Sequence, residues 1–286
     1  LYFLVLREKS LEDFLKMSQE NLKKYSLAEL MSFDPIKDKE TLESFSEDIK
    51  RNPNSYLFLS LLSELSETQA KVLAQFKGNE LYLNGVQQLD EATAKALAQF
   101  KGDKLYLNGV KQLDESTAKV LAQWQGRWLK LNGMQQLDES SAKALSQWKG
   151  VGLFLKGLQQ IDEGTTKELS QFKGSWLDLN GLEKINESVA KELSQFKGYE
   201  LSLDGVQQVD EATAKTLSRW QGKCFKLNGV QQLDEATAKA LVQWKGDVLY
   251  LNGIQQLDEA TAKALAQFKN RIETKKTVLE QIKKFK

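Results

Sequence analysis

The chain of 286 residues has no histidine, one cysteine and two prolines. Without histidine it lacks the commonest general base and transition-metal ligand, and its one thiol, Cys224, has no second sulfur for a metal site or a disulfide framework. So little proline argues against a proline-rich, disordered chain. Neither sign of charge is in excess: 40 Lys and Arg stand against 39 Asp and Glu, whereas a nucleic-acid binder needs a positive surface to displace counterions from phosphates. Long hydrophobic runs are missing too. The longest at the amino end is LYFLVL, far short of the roughly 20 residues that cross a bilayer, so no membrane span is encoded. LYFLVL is read as a segment packed against the fold, the end of a signal peptide's apolar region being the other reading. Phrases such as GDKLYLNG carry no GKS/T and therefore no phosphate loop. No catalytic residue, metal or cofactor is implied, and the chain is expected not to be an enzyme.

What the chain has is repetition. The phrase LYLNGVQQLDEATAKALAQFKG begins at Leu81, and versions of it begin at 57, 105, 129, 153, 177, 201, 225 and 249, nine copies at an unvarying spacing of 24. A fixed period of this length marks a stacked array. Within one copy Leu81 and Leu83 alternate with Tyr82, the period of a short half-buried strand. Gly85 permits a tight turn or close approach, Val86 and Leu89 point inward, and Asp90 caps a helix. That helix carries Glu91 and Lys95 as an outer ion pair at i, i+4, with Ala94, Leu97 and Phe100 on one side. Gly102 sits where a left-handed helix C-cap is wanted. Sixteen of the 18 glycines occupy these two punctuation sites, leaving Gly152 and Gly164 apart.

A strand and a helix returning each time to a parallel strand predict an α/β, right-handed solenoid. The phrase resembles the leucine-rich repeats of bacterial tandem-repeat proteins that read LxLxGLxxLxxxxAxALAxxxG, over residues 57 to about 270. The resemblance implies a horseshoe or arc with parallel strands on its concave face and helices on its convex face, serving as a protein-interaction scaffold. The chain departs from the family at one place: LNGV puts asparagine one position after the second leucine, so no buried asparagine ladder is expected. Residues 1–56 are read as a helical N-terminal cap, 57–270 as nine repeats, and 271–286 as a basic C-terminal capping helix with Ile272, Val278, Leu279 and Ile282 tucked under.

Comparing the copies separates scaffold from variation. The aromatic column Phe76, Phe100, Trp124, Trp148, Phe172, Phe196, Trp220, Trp244 and Phe268 is always Phe or Trp and is expected to form a core layer. The outward strand columns vary most: Phe58, Tyr82, Tyr106, Lys130, Phe154, Asp178, Ser202, Lys226, Tyr250 and, before it, Tyr56, Glu80, Lys104, Trp128, Gly152, Trp176, Glu200, Cys224, Val248. With strands about 4.8 Å apart, Trp128 and Trp176 would flank Gly152 at roughly 10 Å, a notch with Phe154 alongside. The expected ligand-binding residues are therefore Trp128, Lys130, Gly152, Phe154, Trp176, Asp178, Tyr82 and Tyr106, and the charges of the face cancel, which suits a protein or peptide partner. A carbohydrate-binding or adhesive surface and a structural spacer assembling through its ends are the alternatives.

Overall fold

Three extended residues and two turns of helix cannot each bury a hydrophobic face alone, so every repeat must lean on its neighbours. The computed structural model describes residues 56–58 and 63–286, in two compact units divided between Leu131 and Asn132. The first unit holds β1 (Tyr56–Phe58), α1 (Glu67–Leu73), β2 (Glu80–Tyr82), α2 (Glu91–Leu97), β3 (Lys104–Tyr106), α3 (Glu115–Leu121) and β4 (Trp128–Lys130). The second holds α4 (Glu139–Ser146), β5 (Gly152–Phe154), α5 (Glu163–Leu169), β6 (Trp176–Asp178), α6 (Glu187–Leu193), β7 (Glu200–Ser202), α7 (Glu211–Leu217), β8 (Cys224–Lys226), α8 (Glu235–Leu241), β9 (Val248–Tyr250), α9 (Glu259–Ala266), β10 (Arg271–Glu273) and α10 (Lys276–Lys283).

In each unit the strands pair parallel and in sequence order, Leu81 opposite Leu105 and Leu105 opposite Leu129 in the first, Leu153 opposite Leu177 and Leu177 opposite Leu201 in the second. Strand leucines point inward and are fully buried, with Val86 and Leu89 behind them. This is the leucine-rich-repeat architecture the period predicts: a parallel sheet with one helix per repeat.

The helices start where the sequence places them. Asp90 accepts the Thr93 N–H at 2.7 Å, and Asp114, Asp138, Asp162, Asp210, Asp234 and Asp258 repeat the bond; Ser66 and Asn186 cap α1 and α6 with neutral oxygens. On the outer surface Glu67 pairs with Lys71 and Glu235 with Lys239, both at 2.6 Å and well exposed, so each contributes little beyond solubility.

The aromatic column is core, as expected. Trp124 and Trp220 are fully buried, and each indole N–H donates to the carbonyl of the residue 24 positions earlier, Phe100 and Phe196, at 2.9 Å. Neighbouring rings stack nearly parallel, Phe196 on Trp220 at 6.4 Å and Trp220 on Trp244 at 5.8 Å between centroids. Gly102 is not a helix cap: the residue after α2 is Ala98, in right-handed geometry, and a Cβ on Gly102 would instead run into the Phe100 ring and, at 2.7 Å, the Gly78 carbonyl. Its job is to leave room for the aromatic ring two residues before it. Gly109 is a close-approach position of another kind, its missing side chain making way for the backbone carbonyls of Asn84 and Val86.

The asparagine ladder takes an unexpected form. Although displaced from its family position, Asn84 accepts the backbone N–H of Asn108 at 3.4 Å, Asn180 that of Asp204 at 2.7 Å, Asp204 that of Asn228 at 2.9 Å, and Asn228 that of Asn252 at 3.0 Å. These residues lie half-buried along the sheet, except Asn252, which is exposed. The second correction concerns 271–286, which opens with strand β10, not helix; Val248 faces Arg271, a spacing of 23, and α10 follows with Val278 and Ile282 fully buried. The N-terminal capping helices expected before residue 56 lie outside the described residues.

Two outcomes follow from this packing. Trp220→Ala should cost about 3 to 5 kcal/mol in equilibrium unfolding, because it removes a large buried ring together with its stacking partners. The pH dependence has a definite sign. Backbone donors at Thr117, Ser141, Thr213, Thr237 and Thr261 hold Asp114, Asp138, Asp210, Asp234 and Asp258 below the ordinary aspartate value. A carboxyl depressed on folding adds stability that is complete above its unfolded value and lost as pH falls through the folded one. The unfolding midpoint should therefore drop below about pH 4, and Asp234→Asn, which keeps the capping oxygen, should flatten that drop.

Candidate functional site

Alternation along each three-residue strand sends the first and third side chains to the face opposite the leucine core. On the first unit this face carries a network around Glu80, which is almost buried. Tyr82 Oη donates to its Oε2 at 2.5 Å, Tyr106 Oη to the same oxygen at 3.0 Å, and Lys104 Nζ to Oε1 at 2.7 Å. Burial alone would raise the Glu80 pKa, but the donors at Lys104, Tyr82 and Tyr106 outweigh it and hold it below the usual range. Burial and the Glu80 bond push Tyr82 up, and burial likewise raises Tyr106, so both phenols stay protonated donors. The two tyrosine rings stack at 3.9 Å between centroids, and Lys130 Nζ stands 4.9 Å over the Tyr106 ring. Trp128 is half-buried on β4 beside Lys104.

On the second unit the equivalent centre is Glu200. The Trp176 indole N–H donates to its Oε2 at 3.2 Å and Lys226 Nζ to its Oε1 at 2.6 Å. Burial would lower the Lys226 pKa, and the Glu200 carboxylate reverses the effect. Gly152 lies opposite Trp176 in register, and Phe154 opposite Asp178. Asp178 is 7% exposed, pairs with Lys156 at 3.3 Å and accepts the Asn180 N–H at 3.1 Å; burial raises its pKa against the pull of Lys156.

Within its own unit each expected residue falls on the strand face. Tyr82, Tyr106, Trp128 and Lys130 share that of the first unit, and Gly152, Phe154, Trp176 and Asp178 that of the second. Their polar atoms are largely engaged by neighbouring strands, and Asp178 in particular is held by internal partners. Sequence reasoning missed Tyr199, which directly precedes β7, is 50% exposed and meets Trp176 at 6.1 Å with ring planes 54° apart. The signal existed: in the column Asn79, Asp103, Arg127, Val151, Ser175, Tyr199, Lys223, Asp247 it is the sole aromatic. Elsewhere, a groove of about 640 Å³ between α1 and α2 is walled by the recurrent Glu67, Lys71, Glu91 and Lys95, and one of about 480 Å³ lies over the pairs Gln135, Gln136 and Gln159, Gln160. Among the described residues no cluster of acidic or sulfur side chains could hold a metal, and no helix is long and apolar enough to cross a membrane.

No protein-family model matches the chain, and no curated protein is similar to it. Among solved structures 34 chains match; one is the crystal structure of the TLR13–ssRNA13 complex, at 18% identity and a TM-score of 0.48, covering 76% of this chain and 32% of that one. The present chain thus spans about a third of that protein's length.

Cys224 sits on the outward column of β8 yet is 7% exposed. Burial, then the nearby Glu200 charge, push its thiol up to about 12. In the folded protein at about pH 8 it should react with a thiol reagent far more slowly than an ordinary free cysteine, and unfolding in denaturant should restore the normal rate, as followed by reagent absorbance.

Proposed function

We propose that the chain is a non-catalytic binding scaffold whose strand faces take up a protein or peptide segment. The observation that carries the reading is on the second unit: two large aromatics, Trp176 and Phe154, stand part-exposed on adjoining strands, and the residue beside Trp176 in register is Gly152, which places no side chain against the indole. Aromatic anchors of this kind concentrate binding energy in protein interfaces. The face around them is rigid, because its carboxylates and lysines already hold one another across strands, so a ligand meets preorganised groups. On the first unit Tyr82, Tyr106, Trp128 and Lys130 form a second such surface by the same logic.

The reading of a spacer that assembles through its ends draws less support. At the C-terminal end Ile272, Val278 and Ile282 are covered, and the edge strand β10 carries Arg271 and Glu273, charged residues that discourage strand addition.

Selection of a random displayed peptide library on the full chain tests the proposal. Enriched peptides should lose about tenfold or more in affinity when Trp176 or Trp128 is replaced by alanine, in line with interface anchors, while the thermal midpoint moves by only a few degrees. Peptides that bind both variants as tightly as the parent would refute the strand-face site.

A further inference from the structure

The two edges of the second unit carry opposite charge. In the six loops that lead from α4 to α9 into the strands that follow them, seven Lys and Arg stand against one carboxylate, Asp247, which pairs with Lys223 at 3.3 Å. Lys149, Lys173, Lys197, Lys245 and Lys269 hold one equivalent position there, every one exposed and none with an ion-pair partner among the described residues. In the six loops that lead into the same helices, counting each first helical residue, thirteen carboxylates stand against two lysines. Of the glutamates that open these helices, Glu235 alone among the described residues is tied to a lysine of its own helix. Helix dipoles account for the carboxylates but not for the lysines, which lie beyond the C-caps and past the last turn. Gln221 in the same column shows that the fold needs no cation there.

Both edges also keep strict time with the repeat. Along the basic edge the Tyr199 N–H donates to the Ser175 carbonyl and that of Lys223 to the Tyr199 carbonyl, each at 2.8 Å; along the acidic edge Gln207 donates to Glu183 at 3.3 Å and Gln231 to Gln207 at 3.4 Å. These backbone ladders advance both edges by one common step, about 4.8 Å per repeat.

We propose that the basic edge of the second unit docks the acidic edge of a second copy of this chain, repeat against repeat. Charge sign alone admits any polyanion, but the step favours the copy, whose carboxylates recur at the spacing of the lysines on an equally regular backbone. An exposed ion pair is weak by itself, and a row of them in fixed register adds up. Tyr199, the most exposed large hydrophobic side chain described, stands in the middle of this edge, where a partner would cover it. The contact joins unlike surfaces, so each pair keeps a free edge of either sign and can recruit a third copy. It uses neither the strand face nor the helix face and does not rest on the peptide-binding reading.

Sedimentation velocity of the full chain tests the inference. The average mass should exceed the monomer's by about twofold or more at ~20 mM NaCl and return to it at ~500 mM, where the Debye length is roughly 4 Å. A basic-edge variant, Lys149→Glu with Lys173→Glu and Lys197→Glu, and an acidic-edge variant, Glu163→Lys with Glu187→Lys and Glu211→Lys, should each stay monomeric at low salt. All six residues are exposed and the capping residues are untouched, so thermal midpoints should stay near the parent's. Mixed in equal amounts, the two variants should form a pair and stop there, because one keeps its acidic edge and the other its basic edge. The milder Lys149→Gln, Lys173→Gln and Lys197→Gln combination, which repeats what Gln221 already does, should weaken association about tenfold.

A parent chain that is monomeric at both salt concentrations overturns the proposal. So does association that either charge-reversed variant retains, or a mixture of the two that stays monomeric. Heparin binding that the basic-edge variant loses, without self-association of the parent, would make this edge a polyanion site and equally remove the second copy as its occupant.

Discussion

The repeats depend on one steric pairing, that of a large aromatic ring with a glycine two residues later, which holds in eight of the nine and gives way to Phe268 and Asn270 in the last. Trp124 over Gly126 and Phe172 over Gly174 occupy space that any Cβ would claim. The ring is thereby held flat against the preceding ring, and at Trp124 and Trp220 the indole N–H meets a carbonyl one repeat back, whereas that of Trp244 is buried with no hydrogen-bond partner. From that contact the rest propagates: the strand leucines come into register, the loop carbonyls line up over the close-approach glycines, and the cap of each helix lands above the previous cap. Dispersion between stacked rings is weak pair by pair, but the column is continuous within each unit, and its members are the largest fully buried side chains described.

The strand face obeys a different economy. Its side chains are diverse, and their diversity is organised around two carboxylates, Glu80 and Glu200, each nearly sequestered and each collecting donors from the strands beside it. The partners differ, two tyrosines and a lysine in one case, an indole and a lysine in the other, but the principle is shared: a half-desolvated charge is tolerated because neighbours complete its hydrogen bonds. Such a face is varied, yet its charged groups are tied to one another across strands, and under the proposed binding role its part-exposed aromatics would be the anchors.

Much of this was legible from the residues. A period of 24 with aromatic, leucine and aspartate columns in constant phase dictates the stacked strand-and-helix units, the buried ring layer and the N-caps, because each of those rests on local sequence or strict recurrence. Three features were not legible. Gly102 looks the same whether it ends a helix or makes room for Phe100, since both put glycine a few residues past the last helical leucine. The tenth strand, RIE, breaks both the phrase and the spacing, so recurrence could not reveal it. The networks at Glu80 and Glu200 join residues 24 or 26 positions apart whose meeting depends on rotamers, and Tyr199 lies in a column just outside the strand where its ring reaches back to a neighbour.

The ladder of side-chain oxygens along the sheet makes a final point about how such a face can change. Where the second to fourth and sixth to ninth repeats carry Asn or Asp, the fifth carries Lys156, which has no side-chain oxygen to offer, and the N–H of Asn180 is met by Asp178 from its own strand. Lys156 in turn neutralises that buried carboxylate. The two substitutions form a self-repairing pair, so Asp178, which reads as one more letter of a recognition surface, is part of its grammar. Drift on this surface is not free position by position. A change that silences one rung must be answered nearby, and the residues at liberty to specify a ligand are fewer than the varied columns suggest.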